Sequence, residues 1–262
     1  MLYTPQKKKL KSPNTKLRGG QLSSEDRRLL NEILASYHPK EALHLASASR
    51  APRNDEQTWW SLSKYKDPNN GRTHLMYASL KGDLERAKFL IDHGADVNAT
   101  DKKGYTSLIY AILNGNLNVA TLLLDRGANV NAARTNDGVT SLMIASEFGH
   151  LEIARRLLDR GANVNAARTN DGMTSLMWAS LNGHLEIAHL LLDQGANVNA
   201  AKTNDGMTSL LFASQGGYLE LVRLLLDRGA NVNAVDIYGN NSLKKAKNNK
   251  IVQLLKEYGA TI

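Results

Sequence analysis

The sequence predicts an all-α fold, a solenoid of stacked helix pairs, and three observations carry that reading. Three series of glycines run through the chain at one shared period. Turn chemistry of the Asn-Asp-Gly type recurs at the same period. Between these marks the apolar residues fall at helical spacing. The first series is Gly71, Gly104, Gly138, Gly172, Gly206 and Gly239, with steps of 33 or 34 residues. Gly82, Gly115, Gly149, Gly183 and Gly217 form the second, and Gly94, Gly127, Gly161, Gly195 and Gly229 the third. Such periodicity marks a repeat architecture, in which one unit cannot bury its own apolar face and stacking supplies the core.

One unit shows the elements in order. Asn136-Asp137-Gly138 is a turn, with glycine supplying the backbone conformation. Thr140 is placed to cap a helix through its hydroxyl, and Leu142, Ala145 and Ser146 make that helix's small buried face. Gly149 ends it, and His150 opens a second helix in which Leu151, Ile153, Ala154, Leu157 and Leu158 follow an apolar stripe. Gly161 stops the second helix, and Ala162-Asn163-Val164-Asn165 leads to the next turn. Units start near residues 70, 103, 136, 170, 204 and 237.

The flanks read differently. Residues 1–20 form a basic tail with the composition of disorder. Residues 21–69 read as a helical extension or cap, possessing three candidate helices: from Ser24 to about Ser36, Glu41 to Arg50, and Glu56 to Tyr65. Within them Leu43-His44-Leu45-Ala46 echoes a first helix, as a decayed repeat would. At the other end Lys244, Lys245, Lys247, Asn248, Asn249 and Lys250 replace apolar or neutral positions, and the unit is three residues shorter between its helices. Residues 237–262 therefore read as a polar C-terminal cap.

The opening words of the first helices, Thr73-His74-Leu75-Met76, Thr106-Ser107-Leu108-Ile109, Thr140-Ser141-Leu142-Met143, Thr174-Ser175-Leu176-Met177 and Thr208-Ser209-Leu210-Leu211, resemble the Thr-Pro-Leu-His signature of the ankyrin repeat. The resemblance covers residues 70–262 and implies about five full repeats plus a capping repeat. Two departures stand out. Met, Ile or Leu replaces the usual His, so an apolar ladder is expected where the family has hydrogen bonds. Units three, four and five carry an extra turn residue, Arg/Lys-Thr-Asn-Asp-Gly, which predicts longer or bulged hairpin tips.

Composition excludes several functions. No cysteine is present, so disulfides, thiolate metal sites and a cysteine nucleophile are out, in keeping with a reducing, cytoplasmic compartment. No apolar run reaches the roughly 18 residues of a membrane span, so no membrane insertion is expected. The net charge of +8 sits at the ends. Residues 70–236 hold fifteen bases against seventeen acids, whereas 237–262 hold five lysines against Glu257. A nucleic-acid partner, which needs a basic stripe on the folded body, is not expected. No phosphate loop, paired-histidine metal motif or nucleophile elbow occurs. His150 and His184 share one repeat position and read as turn-stabilising side chains. Asp125, Asp159, Asp193 and Asp227 recur because the unit recurs. The expectation is a monomeric non-enzyme without cofactor, metal or small-molecule substrate.

Among near-copies, positions that vary read as those the fold leaves free. By the resemblance, the first-helix and tip positions line the family's concave partner-binding surface. The candidates are Tyr77, Tyr105, Tyr110, Leu113, Ile144, Phe148, Met173, Trp178, Leu181, Met207 and Phe212, rich in the aromatic and Met side chains that interfaces favour, with Trp178 at the centre. The alternative for Trp178 is packing between helices. The function expected is a scaffold that binds another protein. The Thr-Ser-Leu-Met wording is similar to ankyrin proteins of intracellular bacteria, large viruses and protists, which implies a host-directed effector as one context. Lys7, Lys8, Lys9 and Lys11 read as a solvated tail, a nuclear-import signal or an anchor to anionic surfaces. That leaves a nuclear or nucleic-acid-associated adaptor as the alternative function; a small catalytic or nucleic-acid-binding module in residues 21–69 is another. Asn131, Asn165, Asn199 and Asn233 read as loop asparagines bonded to their own backbone. They also resemble the site that an asparaginyl hydroxylase uses on ankyrin repeats.

Overall fold

The computed structural model describes residues 63–261. The tail lysines and the three N-terminal helices expected from the sequence fall largely or wholly before that span, and the residues before 63 lie outside the described residues.

Six helix pairs follow one another. They are α1 (His74–Lys81) with α2 (Leu84–Asp92), α3 (Ser107–Leu113) with α4 (Leu117–Asp125), and α5 (Ser141–Phe148) with α6 (Leu151–Asp159). Then come α7 (Ser175–Asn182) with α8 (Leu185–Asp193), α9 (Ser209–Gly216) with α10 (Leu219–Asp227), and α11 (Ser242–Lys245) with α12 (Asn249–Glu257). First helices pack in one row and second helices in another, each against its counterpart in the neighbouring unit. This is the arrangement that nearest-neighbour stacking produces.

Local chemistry sets each helix. Thr73, Thr106, Thr140, Thr174 and Thr208 cap the first helices by accepting the backbone N–H three residues on. Gly149 ends α5 in the left-handed region at φ 78°. Met76, Ile109, Met143, Met177 and Leu211 are fully buried, which is the apolar ladder expected. Met76 nevertheless keeps a polar role, because its Sδ accepts from the Thr73 backbone N–H at 3.3 Å. A thioether thus completes a capping box in the first unit.

The repeats are fastened along three lines. In the loops, Asn131 Nδ2 donates to the Gly161 carbonyl while its Oδ1 accepts from the Asn163 backbone, both in the next unit. Asn165, Asn199 and Asn233 do the same. The asparagines therefore spend their side chains on the neighbouring repeat instead of on their own loop backbone. Along the second helices, Asp92 pairs with Arg126, Asp125 with Arg160, Asp193 with Arg228, and Asp227 accepts from Tyr258. Along the first-helix ends, Asn116, His150, His184 and Tyr218 each lie over the glycine that ends the previous unit's first helix. His184 also donates from Nε2 to the Glu147 carbonyl at 3.1 Å. These histidines thus join repeats, and His150 also stacks on Phe148 of its own turn.

The hairpin tips are of two lengths. Thr100 pairs with Thr106 across the short tip, whereas Ala133, Ala167 and Ala201 pair with Thr140, Thr174 and Thr208 across tips one residue longer. The extra residue is absorbed by a wider turn, in which Gly138, Gly172 and Gly206 donate to the carbonyl four residues back. The first unit also has the long form. Its tip opens at Lys66, which pairs with Thr73, so the array begins before residue 70.

Candidate functional site

Side-chain variety concentrates where the tips meet the first helices, and there the tips divide into two chemistries. Units one, two and six open with an aspartate. Asp67 accepts from the Asn69 backbone at 2.8 Å and the Tyr77 hydroxyl at 2.9 Å. Asp101 accepts from the Lys103 and Tyr105 backbones and from the Tyr110 hydroxyl at 2.7 Å. Asp236 accepts from the Tyr238 and Asn240 backbones and pairs with Lys245 Nζ at 2.9 Å. Tyr77, Tyr110 and Lys245 occupy one repeat position, so that position supplies the donor each tip aspartate needs.

Units three, four and five place Arg134, Arg168 and Lys202 where the others have aspartate. Each pairs with the acid three residues on, Asp137, Asp171 or Asp205. The first-helix position then carries no donor for the tip acid: it is Ile144, Trp178 or Phe212. The Arg168 guanidinium lies 5.5 Å from the Trp178 ring centre, and Lys202 Nζ 6.0 Å from that of Phe212, within reach of cation–π attraction. Variation at this position is therefore coupled to the tip it serves. The expectation that such positions are free of the fold is corrected on that ground.

Electrostatics follow from these pairs. The hydrogen bond from Arg168 holds the Asp171 carboxyl down at about 2, against the opposing effect of burial. Burial, then the Asp101 carboxylate, pushes the Tyr110 hydroxyl well above its ordinary value. Burial raises Glu147, and the charges of Arg134 and Arg168 offset it only partly. Because the Asp171 pKa is lowered on folding, its contribution to stability is present above about pH 4 and is lost as pH falls through about 2. Asp171→Asn is expected to cost about 1–2 kcal/mol near neutrality and almost nothing near pH 2. Chemical denaturation across that pH range checks it; equal costs at both ends would exclude the Arg168 pair as the cause.

The eleven sequence candidates separate by depth. Phe148 and Leu181 are exposed, at 49% and 39%. Tyr77, Tyr105, Leu113, Trp178 and Phe212 are half-buried. Tyr110, Ile144, Met173 and Met207 are buried, at 7% or less. Those four were expected on the surface, and the structure puts them beneath it. Tyr110 turns to its tip aspartate, and Met173 and Met207 follow the tip glycine inward to the base of the hairpin. Trp178 Nε1 is shielded from solvent and has no hydrogen-bond partner. The four cations Arg72, Arg134, Arg168 and Lys202 belong to the same face and were not singled out. For Arg134, Arg168 and Lys202 the signal was a base standing where other units have aspartate, whereas Arg72 follows the tip glycine of a unit that keeps Asp67. Exposed Ile237 and Tyr238 were missed as well, because they sit in the unit read as polar, and so was Val235 just before it.

No group of three or more side chains able to hold a metal ion occurs among the described residues, and none of their helices is long and apolar enough to cross a membrane. Helix pairs joined by hairpin tips and stacked through shared ladders define a helical-repeat solenoid. The family model described as ankyrin repeats (3 copies) matches residues 43–134 and 131–202, and that described as ankyrin repeats (many copies) matches residues 182–226. The chain belongs to the ankyrin-repeat family, whose repeats are protein–protein interaction modules. No curated protein matches it.

Proposed function

We propose that the protein is a non-enzymatic scaffold that binds a partner protein along the face of first helices and tips in units two to five. The observation that carries the reading is the grouping at units three and four. There Phe148 and Leu181 are exposed beside Trp178, whose shielded indole N–H has no acceptor. Exposed apolar side chains beside a half-buried aromatic ring suit an apolar segment of a partner. Tyr110, Ile144, Met173 and Met207 serve as the floor on which the exposed side chains stand. With helices about 8–10 Å apart, four units span roughly 30 Å, the reach of about nine extended residues. Asn131, Asn165, Asn199 and Asn233 are assigned to the inter-repeat ladder and not to modification.

The test is affinity capture with the intact chain beside its Trp178→Ala variant. Loss of a central aromatic anchor is expected to weaken partner binding by about 2 kcal/mol or more, with a melting shift of only a few degrees. The same partners held equally well by both forms would remove this face as the binding surface.

A further inference from the structure

Along the row of tips each turn is covered by the next, until the last. A Cβ built on the tip glycine would meet the following tip at every earlier unit. For Gly71 the atom is Lys102 N at 3.0 Å, for Gly138 Thr169 Cγ2 at 2.7 Å, and for Gly206 the Val235 carbonyl at 3.3 Å. On Gly239 it would meet nothing within 4 Å. Backbone bonding shows the same open seat. The carbonyls of Asn70, Asp137, Asp171 and Asp205 accept the N–H of Lys102, Thr169, Thr203 and Ile237 at 2.8–3.0 Å. Tyr238 stands at the corresponding place, and its carbonyl, like that of Lys103 in unit two, accepts from no donor among the described residues; unlike Gly104, Gly239 is also left uncovered.

The chemistry around that seat departs from the polar cap expected of the sequence. Val235, Ile237 and Tyr238 are 53%, 62% and 78% exposed, more than any other large hydrophobic side chain among the described residues. Lys244 reaches the seat itself through the Gly239 carbonyl at 3.1 Å. Lys247 and Lys250 of the same unit are exposed. The acid beside the patch, Asp236, is buried and already paired with Lys245. The patch is therefore apolar, flanked by the Lys244 ammonium in a unit of net positive charge, and short of one backbone donor.

We propose that this end face is a second docking site, which takes a polypeptide segment rich in acidic and apolar residues. The segment extends the row of tips by donating a backbone N–H to the Tyr238 carbonyl. The occupied seats are filled by backbone of the next tip, which makes a polypeptide the fitting occupant, and the positive charge of the unit selects an acidic one. A second copy packed face to face would bring like charges together.

Random linear peptides displayed on phage and panned on the full-length chain test this, with the selected peptides then synthesised for titration. Selected peptides are expected to combine Asp or Glu with large apolar residues. Their affinity is expected to fall about tenfold or more in Ile237→Asp and Tyr238→Asp, neither of which should alter the melting temperature because both side chains are exposed. Lys244→Glu and added salt should weaken binding, and so should N-methylation of one peptide amide. Selected peptides without acidic and apolar character, or indifferent to the end-face changes, would overturn the proposal. So would loss of their binding in Trp178→Ala, which would move the site to the first-helix face. Two further results would also reject it: binding to phosphatidylserine vesicles without peptide binding, and sedimentation showing dimers that Ile237→Asp abolishes.

Discussion

Gly149→Ala is expected to destabilise the protein by about 2–4 kcal/mol, more than its chemistry of one methyl group implies. Two costs coincide at this residue. The left-handed backbone, φ 78°, penalises any Cβ by about 1 kcal/mol. A Cβ there would also sit 2.7 Å from Cε1 of His184, whose ring is held by the Glu147 carbonyl and cannot move without breaking that bond. Overpacking of this kind costs about 1–3 kcal/mol. Gly161 separates the two terms. It shares the left-handed conformation, φ 82°, but a Cβ on it would meet nothing within 4 Å. Gly161→Ala is expected to cost only about 1 kcal/mol. Urea denaturation of both variants, and of Gly149→Ala with His184→Ala, forms the check. Equal costs at the two glycines, or no relief from removing the imidazole, would show that His184 does not police the junction.

Met177→Ala should cost about 2–4 kcal/mol. Its side chain is fully buried in α7, between α5 and α9, where neighbouring repeats place Met143 and Leu211 at the equivalent position. In a stacked array a cavity at one first helix weakens two interfaces at once. Met177→Leu conserves volume and apolar character, and should stay within about 1.5 kcal/mol. Denaturation midpoints with unchanged slopes would establish the difference as stability. A small loss in Met177→Ala would mean that the ladder is not a continuous core.

The array was legible in the sequence because each of its elements is specified locally and then repeated. Thr140 before Ser141-Leu142, and Gly149 before His150, carry their own geometric consequence, and recurrence removes coincidence. The first tip escaped notice for the opposite reason. Asp67-Pro68-Asn69-Asn70-Gly71 has the long turn's length without sharing its Arg-Thr-Asn-Asp-Gly wording. The candidate surface was legible only in part. Helical spacing tells which positions share a side of the first helix but not how deeply the tip folds over them, so Met173 and Met207 passed for surface residues. The dependence of Tyr110 on Asp101, and of Trp178 on Arg168, lies between a helix and a turn nine or ten residues earlier. No period announces such a pairing. Ile237 and Tyr238 were hidden by the lysines around them, whose number drew the whole unit into a polar reading.

The bonds that run from tip to tip have one gap. Between the second and third units no backbone bond links the tips among the described residues, and His150 Nε2 lacks the partner that His184 has one unit later. The tips there are clasped instead by a side chain, Arg134 Nη1 donating to the Tyr105 hydroxyl at 2.6 Å, with the guanidinium also over that ring. Loop and second-helix bonds across the same junction are intact through Asn131 and Asp125. Under a pulling or twisting load the array thus has a built-in seam. A load that parts the tips there meets one side chain where other junctions have a backbone bond, while the loop side stays stitched. The tips of units two and three are therefore joined by a clasp that hangs on one arginine, above first helices that stay packed together.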